Sequence, residues 1–364
     1  MTAQDASGRA SRRTGRDIHQ VAKRAGVSPA TVSRVTNGKA SVDKKLASRV
    51  WKAIEELGYT PNPQARALVS GRSRTLGLLI SEMTNPFFPE LIQIFEDIAS
   101  ENDYELMVGS TNYNRKRAEL FIRRLVQRRV EGVALMTFRS EADLLHELIA
   151  REIPLVSIEE STNGPLSQVL EVDYAQGINE AMRHLAGLGH RRIGFASGPM
   201  PHLTNVRRKE AFELAARAIG LAVGEAPVFI GEHTFEGGKQ AAEYFVAMKK
   251  RPTAIVCSND LMAVGVVRGL VEKKIEVPRQ MSVIGFDDIH LAEFANPPLS
   301  TVRMAREELA RSAFNALMQL RQGKHGPAFE PRRISTRLIL RQSTEAPERV
   351  AVTPRRARSR PAGR

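Results

Sequence analysis

The chain has 364 residues, enough for two or three folded units, and its 42% hydrophobic and 5% aromatic content supports buried cores. Its net charge of +14 is uneven: residues 16–75 hold 12 Lys/Arg against 4 Asp/Glu, residues 346–364 are also basic, and residues 76–345 sum to −1. A basic module beside a near-neutral body points to a polyanion met at one end and argues against uniform nonspecific adhesion. Residues 1–15, rich in Ser, Arg and Gly, read as a disordered basic arm. They have no apolar core of the kind an export signal needs, so a cytoplasmic protein is expected. An all-α helix-turn-helix domain is expected over residues 16–61. Its first helix starts at the N-cap Asp17, with Gln20 placed for a capping box, carries Val21, Ala22 and Ala25 on one face, and ends at Gly26. Ser28-Pro29 opens the second helix, since Ser caps well and Pro loses nothing at the first helical position; Asn37-Gly38 closes it. A third helix is expected from Lys44 to Leu57, with Leu46, Val50, Trp51, Ile54 and Leu57 at helical spacing and Gly58 after it.

Residues 62–74 form a proline-opened hinge whose helix-capable run, Gln64 to Val69, is too short to be stable alone. From Thr75 short apolar runs alternate with amphipathic segments. Strands are expected at Leu76–Ser81, Glu105–Ser110, Gly132–Thr137, Leu155–Ile158 and Val169–Val172, then at Ile193–Ser197, Pro227–Ile230, Ala254–Ser258 and Ser282–Phe286. This alternation predicts an α/β region over residues 75–343 with parallel sheets in two successive lobes. A long helix, Arg306 to Leu320, and a last β-rich run, Ile334 to Leu340, are expected to return across the lobes. Residues 344–364 read as a disordered basic tail.

Docked in a major groove, the second helix would present Pro29, Ala30, Thr31, Ser33, Arg34 and Asn37. Ala30 and the Thr31 methyl suit thymine methyls, and Arg34 can bridge guanine acceptors bidentately. Thr31, Ser33 and Asn37 suit phosphates equally well. Ile18-His-Gln-Val-Ala-Lys-Arg-Ala-Gly-Val-Ser-Pro-Ala-Thr-Val-Ser-Arg-Val-Thr-Asn-Gly resembles the headpiece of the LacI/GalR family of bacterial transcription regulators. The likeness continues in Gln64-Ala-Arg-Ala-Leu, Asn85-Pro-Phe-Phe, Gly187-Leu-Gly-His-Arg-Arg-Ile-Gly, Asn259-Asp-Leu-Met-Ala-Val-Gly and Val283-Ile-Gly-Phe-Asp-Asp, covering about residues 17–342.

The resemblance implies a homodimer on pseudo-palindromic double-stranded operator DNA, a repressor in function, with hinge segments that become helical on the operator. Leu68 stands where such proteins wedge a leucine into a minor-groove step, which trades unstacking for a bent, better-contacted duplex; packing between paired hinge helices is the alternative, and both can hold. Val69 beside it has no polar reach. Pro29 and Ala30 occupy contact positions where some relatives carry polar residues, which shifts discrimination toward Arg34 and DNA shape. The body resembles a periplasmic sugar-binding fold, implying a small effector, most simply a carbohydrate, between the lobes at the carboxyl ends of strands. Phe87, Phe88, Arg208, Asp287 and either Asn259 or Asp260 match effector positions. Lobe core is the competing reading of each Phe, a surface cation that of Arg208, and a cap on the next helix that of Asp287-Asp288. His202 reads as a solvent-exposed loop histidine, and Cys257 as filler in an apolar strand.

Two rival classes fare worse. A solute-binding protein would require export, and an enzyme would require a catalytic constellation, which is not found. Neither a His-Glu-x-x-His pattern nor a glycine-rich phosphate loop is present, and one cysteine cannot build a cysteine zinc site, so no cofactor or metal is expected. Nor does any apolar stretch reach membrane-spanning length.

Overall fold

The computed structural model describes residues 17–36, 42–60, 72–137, 145–159, 165–323 and 332–348. The chain divides into two compact units, Met1–Arg74 and Thr75–Arg364. In the first, α1 (Ile18–Ala25), α2 (Pro29–Thr36) and α3 (Lys44–Leu57) enclose a core of Val21, Ala22, Ala25, Val32, Val35, Val50, Ala53 and Ile54. The caps are local and strong. Asp17 accepts the Gln20 N–H, and Asp43 accepts the N–H groups of Lys45 and Leu46. Gly26 and Gly58 close α1 and α3 at φ of 64° and 53°, where a side chain would be strained. Trp51, expected on the apolar face of α3, is instead 51% exposed. It lies one residue, about 100° of helix, beyond the buried Val50.

The second unit holds two six-stranded sheets. The first has the order β11-β5-β4-β3-β1-β2, from β1 (Thr75–Ile80), β2 (Glu105–Ser110), β3 (Val133–Met136), β4 (Leu155–Ile158), β5 (Ser167–Val172) and β11 (Arg332–Ile334), all parallel. The second has the order β12-β10-β9-β8-β6-β7, from β6 (Ile193–Ser197), β7 (Val228–Ile230), β8 (Ala254–Cys257), β9 (Ser282–Asp287), β10 (Ser300–Met304) and β12 (Thr336–Ile339). Only β12 runs antiparallel, against β10. Burial of both faces explains why most strands are continuous apolar runs.

Alternate residues of the first sheet serve different cores, as the two-residue strand period requires. Leu76, Leu78 and Ile80 join Phe95 of α4 (Phe87–Glu101) and Leu317 of α12 (Arg306–Arg321). Leu79, Val133 and Leu135 join Phe121 of α5 (Arg115–Gln127) and Leu148 of α6 (His146–Ala150). The other helices, α7 (Tyr174–Leu188), α8 (Leu203–Ala218), α9 (Phe235–Ala247), α10 (Asp260–Glu272) and α11 (Leu291–Phe294), belong to the second lobe.

The chain crosses between lobes after β5, after β10 and between β11 and β12. The expected run Ile334–Leu340 is therefore not one strand: it changes sheets at Ser335, pairing with β5 before and β10 after. The start of the expected tail is also structured. Ser343 is buried and bonds to Val283 of β9 and Ser300 of β10, and Glu345 exchanges hydrogen bonds with Ser282 while its carbonyl meets His190.

Candidate functional site

In the headpiece, Ser28 Oγ accepts the Thr31 N–H at 3.2 Å and bonds to Thr31 Oγ1 at 2.9 Å, fixing the start of α2. Val32 and Val35 turn inward. Ala30 and Arg34 are thereby left exposed, with Pro29, Thr31 and Ser33 half-buried beside them. Thr31 spends part of its hydrogen-bonding capacity on the cap. Arg34 has no carboxylate partner among the described residues, so its guanidinium is open to an acceptor. Asn37, Leu68, Val69 and most of the hinge lie outside the described residues.

In the second unit the strand order reverses at β1/β3 and at β6/β8, the switch points beside which ligands are expected in such sheets. Arg208, on α8, is only 2% exposed. Its Nη1 donates to the Ser258 carbonyl at 2.6 Å and its Nη2 lies 3.6 Å from Asp287 Oδ1. The guanidinium carbon sits 4.3 Å from the Phe286 ring centroid and 5.1 Å from that of Tyr174. Two aromatic faces and a carboxylate thus stand in for the water this cation has lost. Arg208 is no surface cation.

Asp287 ends β9 with φ at 111°, a left-handed backbone unusual for a residue with a side chain. Burial pushes its carboxyl up to about 7, against the opposing pull of Arg208 and Arg306. Arg306 donates to both the Asp287 and Asp288 carbonyls, at 2.7 and 2.8 Å. Asp288 instead pairs with Arg303 and Arg341. Neither aspartate caps the next helix: α11 has His290 at its N-cap position and no side-chain cap.

Phe87 and Phe88 are each 1% exposed and meet edge to face, held at the start of α4 by Asn85, whose Oδ1 accepts the Phe87 N–H. Phe87 lies under Arg306 and so is one residue removed from Asp287. Asn259 is occupied in holding the corner between β8 and α10: its Oδ1 accepts the Met262 N–H, and its amide reaches the His233 carbonyl at 3.5 Å.

Several residues here carry no signal in the sequence. His233 is half-buried and bonded to Ser258 Oγ at 2.9 Å; desolvation, then Arg208, then His202 lower its pKa to about 3, so it is neutral. A Cβ at Gly198 would stand 2.0 Å from His233 Nε2, so any side chain there would displace the imidazole. Ser197 Oγ, Thr204 Oγ1 and Asn205 Oδ1 are buried without hydrogen-bond partners among the described residues. Thr204 lies one helical turn before Arg208, on the same buried face of α8. Buried polar atoms without partners are rare and need a reason, and a polar ligand supplies one.

The two lobes also touch directly. Tyr113 of the first stacks on His202 of the second, so His202 is not the solvent-exposed histidine expected. Arg207 pairs with the buried Glu159. Glu90 accepts the His290 N–H at 2.9 Å and pairs with Arg306 at 2.9 Å. Cys257 is fully buried, its thiol pushed up by burial and by Asp260, as befits filler. No group of ligating side chains suited to a metal occurs among the described residues, and none of their helices is long and apolar enough to cross a membrane.

A capped, cationic helix-turn-helix together with a two-lobed domain that closes around a buried polar pair defines a DNA-binding transcription regulator with an effector domain. Residues 17–62 match the bacterial regulatory proteins of the lacI family, and residues 182–344 match the periplasmic binding protein-like domain. The transcriptional repressor PurR of Photobacterium profundum is 33% identical over 332 residues, covering 90% of this chain and 98% of that one. The chain belongs to the lacI family of bacterial regulatory proteins. A lac repressor dimer bound to operator and an anti-inducer shares the fold with a TM-score of 0.79 at 24% identity, over 91% of this chain and 99% of that one. A complex of the transcriptional regulator CelR with cellobiose aligns with a TM-score of 0.66 at 28% identity, over 90% and 99%.

Proposed function

We propose that the protein is a cytoplasmic homodimeric repressor whose affinity for a pseudo-palindromic operator is set by a sugar or sugar derivative held between the lobes. The observation that carries this reading is the buried Arg208–Asp287 pair, 3.6 Å apart, with the Thr204 hydroxyl one helical turn before Arg208 buried and without a hydrogen-bond partner among the described residues. Paired donors and acceptors in an aromatic-walled cleft suit vicinal hydroxyls, and the cellobiose-bound neighbour lends support. Arg208 and Asp287 grip the effector, Phe87 and Phe88 shape its wall, and Asn259 holds the corner from behind. On DNA, Pro29, Ala30, Thr31, Ser33, Arg34 and Asn37 meet the major groove and Leu68 the central minor-groove step. The effector acts by favouring one lobe arrangement, which requires different affinity in the two states. No cofactor and no catalysis are part of this reading.

The test is a thermal-shift screen of monosaccharides and disaccharides, followed by operator titration with each hit. A stabilising sugar that changes operator affinity in the parent but not in Arg208→Met is the expected result. Operator binding indifferent to every sugar that binds would sink the effector assignment.

A further inference from the structure

Helix α5 carries six cations, Arg115, Lys116, Arg117, Arg123, Arg124 and Arg128 at its C-cap, against the single carboxylate of Glu119. The near-neutral charge of the body as a whole makes this a local feature and not a compositional one. All six are exposed, while Ala118, Phe121, Ile122 and Leu125 fill the inner face. Glu119 pairs with Arg115, and the other five have no carboxylate partner among the described residues. Other helices of this unit neutralise their cations along the chain: Arg268 with Glu272, Arg311 with Glu307 and Lys209 with Glu213.

This charge works against the helix that bears it. Three cations crowd a first turn that has no acid, where the helix dipole disfavours them. Arg124 and Arg128 are like charges one turn apart. At about 100° per residue, Lys116 and Arg123 form one row and Arg117, Arg124 and Arg128 a second, with Leu120 and Gln127 between. From Lys116 to Arg128 the rows run about 18 Å. Duplex DNA offers about one phosphate charge per 1.7 Å of axis, so such a length faces several phosphates at once.

We propose that the outer face of α5 is a second, sequence-independent DNA-binding surface, engaging the phosphate backbone of duplex outside the operator contacts of the headpiece. The proposal rests on the DNA-binding reading above for the identity of the polyanion; the unpaired cation face stands without it.

The experiment uses the full chain, a labelled random-sequence duplex several helical turns long, and the variant K116Q/R117Q/R123Q/R124Q/R128Q. Each phosphate contact contributes about 0.9 to the slope of log K against log salt, so the variant's slope should be shallower by about 2 or more between roughly 50 and 200 mM salt. The charge-keeping variant R117K/R123K/R124K/R128K should retain the parent's slope, and R123Q/R124Q/R128Q gives a smaller step if five substitutions unfold the helix. Arg34→Ala in the headpiece should leave the difference between parent and glutamine variant intact. An unchanged slope in a folded glutamine variant overturns the proposal. So does an unchanged slope accompanied by altered sedimentation, which would assign α5 to a contact between protein chains. A parent that binds no duplex at all, operator included, would bring down the DNA-binding reading first.

Discussion

Tyr113 and His202 stack on one another where the lobes meet, 12° from parallel with centroids 5.7 Å apart, one from each lobe. Tyr113 is anchored from behind, its hydroxyl donating to Glu82 Oε1 at 3.0 Å. A stack of this kind contributes about 0.5–1.5 kcal/mol beyond the area it buries.

The stack should therefore help to keep the lobes together around a ligand. Tyr113→Ala and His202→Ala are each expected to weaken effector binding by roughly 2- to 10-fold. The double variant should be little worse than either single one. Calorimetric titration of the three variants measures this, and fully additive losses would show that the rings act independently.

The carboxyl of Asp287 gives the site a pH dependence. Its folded value of about 7 lies above the ordinary 3.8, so the native state holds a proton that the unfolded state has lost. Its contribution to stability is then complete below about 4 and is lost as pH rises through about 7, a loss on the order of a few kcal/mol. Asp260, also raised by burial, acts in the same direction, so Asp287→Asn should flatten only part of the decline. Chemical denaturation at a series of pH values reads this directly. An effector whose hydroxyls donate to Asp287 favours the charged form and should release a proton near neutrality, visible as a buffer-dependent binding enthalpy.

Glu90 ties α4 to the second lobe through one oxygen, which accepts the His290 N–H, and pairs with Arg306 of α12 through the other. Because Arg306 also holds the Asp287 and Asp288 carbonyls, Glu90 and Arg306 together form a continuous link from α4 to the effector pair. Glu90→Gln keeps an acceptor for His290 but removes the charge, and charge-assisted bonds are about twice as strong as neutral ones. The ratio of operator affinities with and without effector should shrink in this variant, by several-fold, while each separate affinity moves less. A ratio equal to the parent's would show that coupling runs elsewhere.

Two headpiece substitutions separate folding from reading. Ser28→Ala removes the α2 cap and should cost about 1 kcal/mol of headpiece stability, seen as an earlier thermal transition. Arg34→Ala removes no carboxylate partner among the described residues and should leave that transition in place. It should cost about 1–3 kcal/mol at the cognate operator and relax base preference at one position, as read by selection from randomised sites.

Much of this architecture is visible in local chemistry. Ser28-Pro29, Gly26 and Gly58 mark helix ends because caps act within one turn, and β2, β4 and β6 lie where apolar runs place them. Arg208 and Asp287 came from family resemblance, and their burial together came only with the structure. What stayed hidden depends on distant partners. Strand β10, Ser-Thr-Val-Arg-Met, looks polar because Thr301 finds Asp260 and Arg303 finds Asp288. His233 is a lone histidine until Gly198 and Ser258 close on it. Glu159 reads as an ordinary surface acid until Arg207 arrives from the other lobe.

The strand pair on either side of Ser335 also bears on how the chain reaches its fold. Sheet one lacks its β11 edge and sheet two its β12 edge until residues 332–339 exist, so neither lobe can be completed during most of synthesis. Contacts this far apart along the chain make for slow folding. A chain ending before residue 332 loses an edge from both lobes at once, and the lobes cannot be separated by a single cut. The regulator is thus assembled last at the place where its two halves join, and an incomplete copy has no whole effector domain with which to answer a ligand.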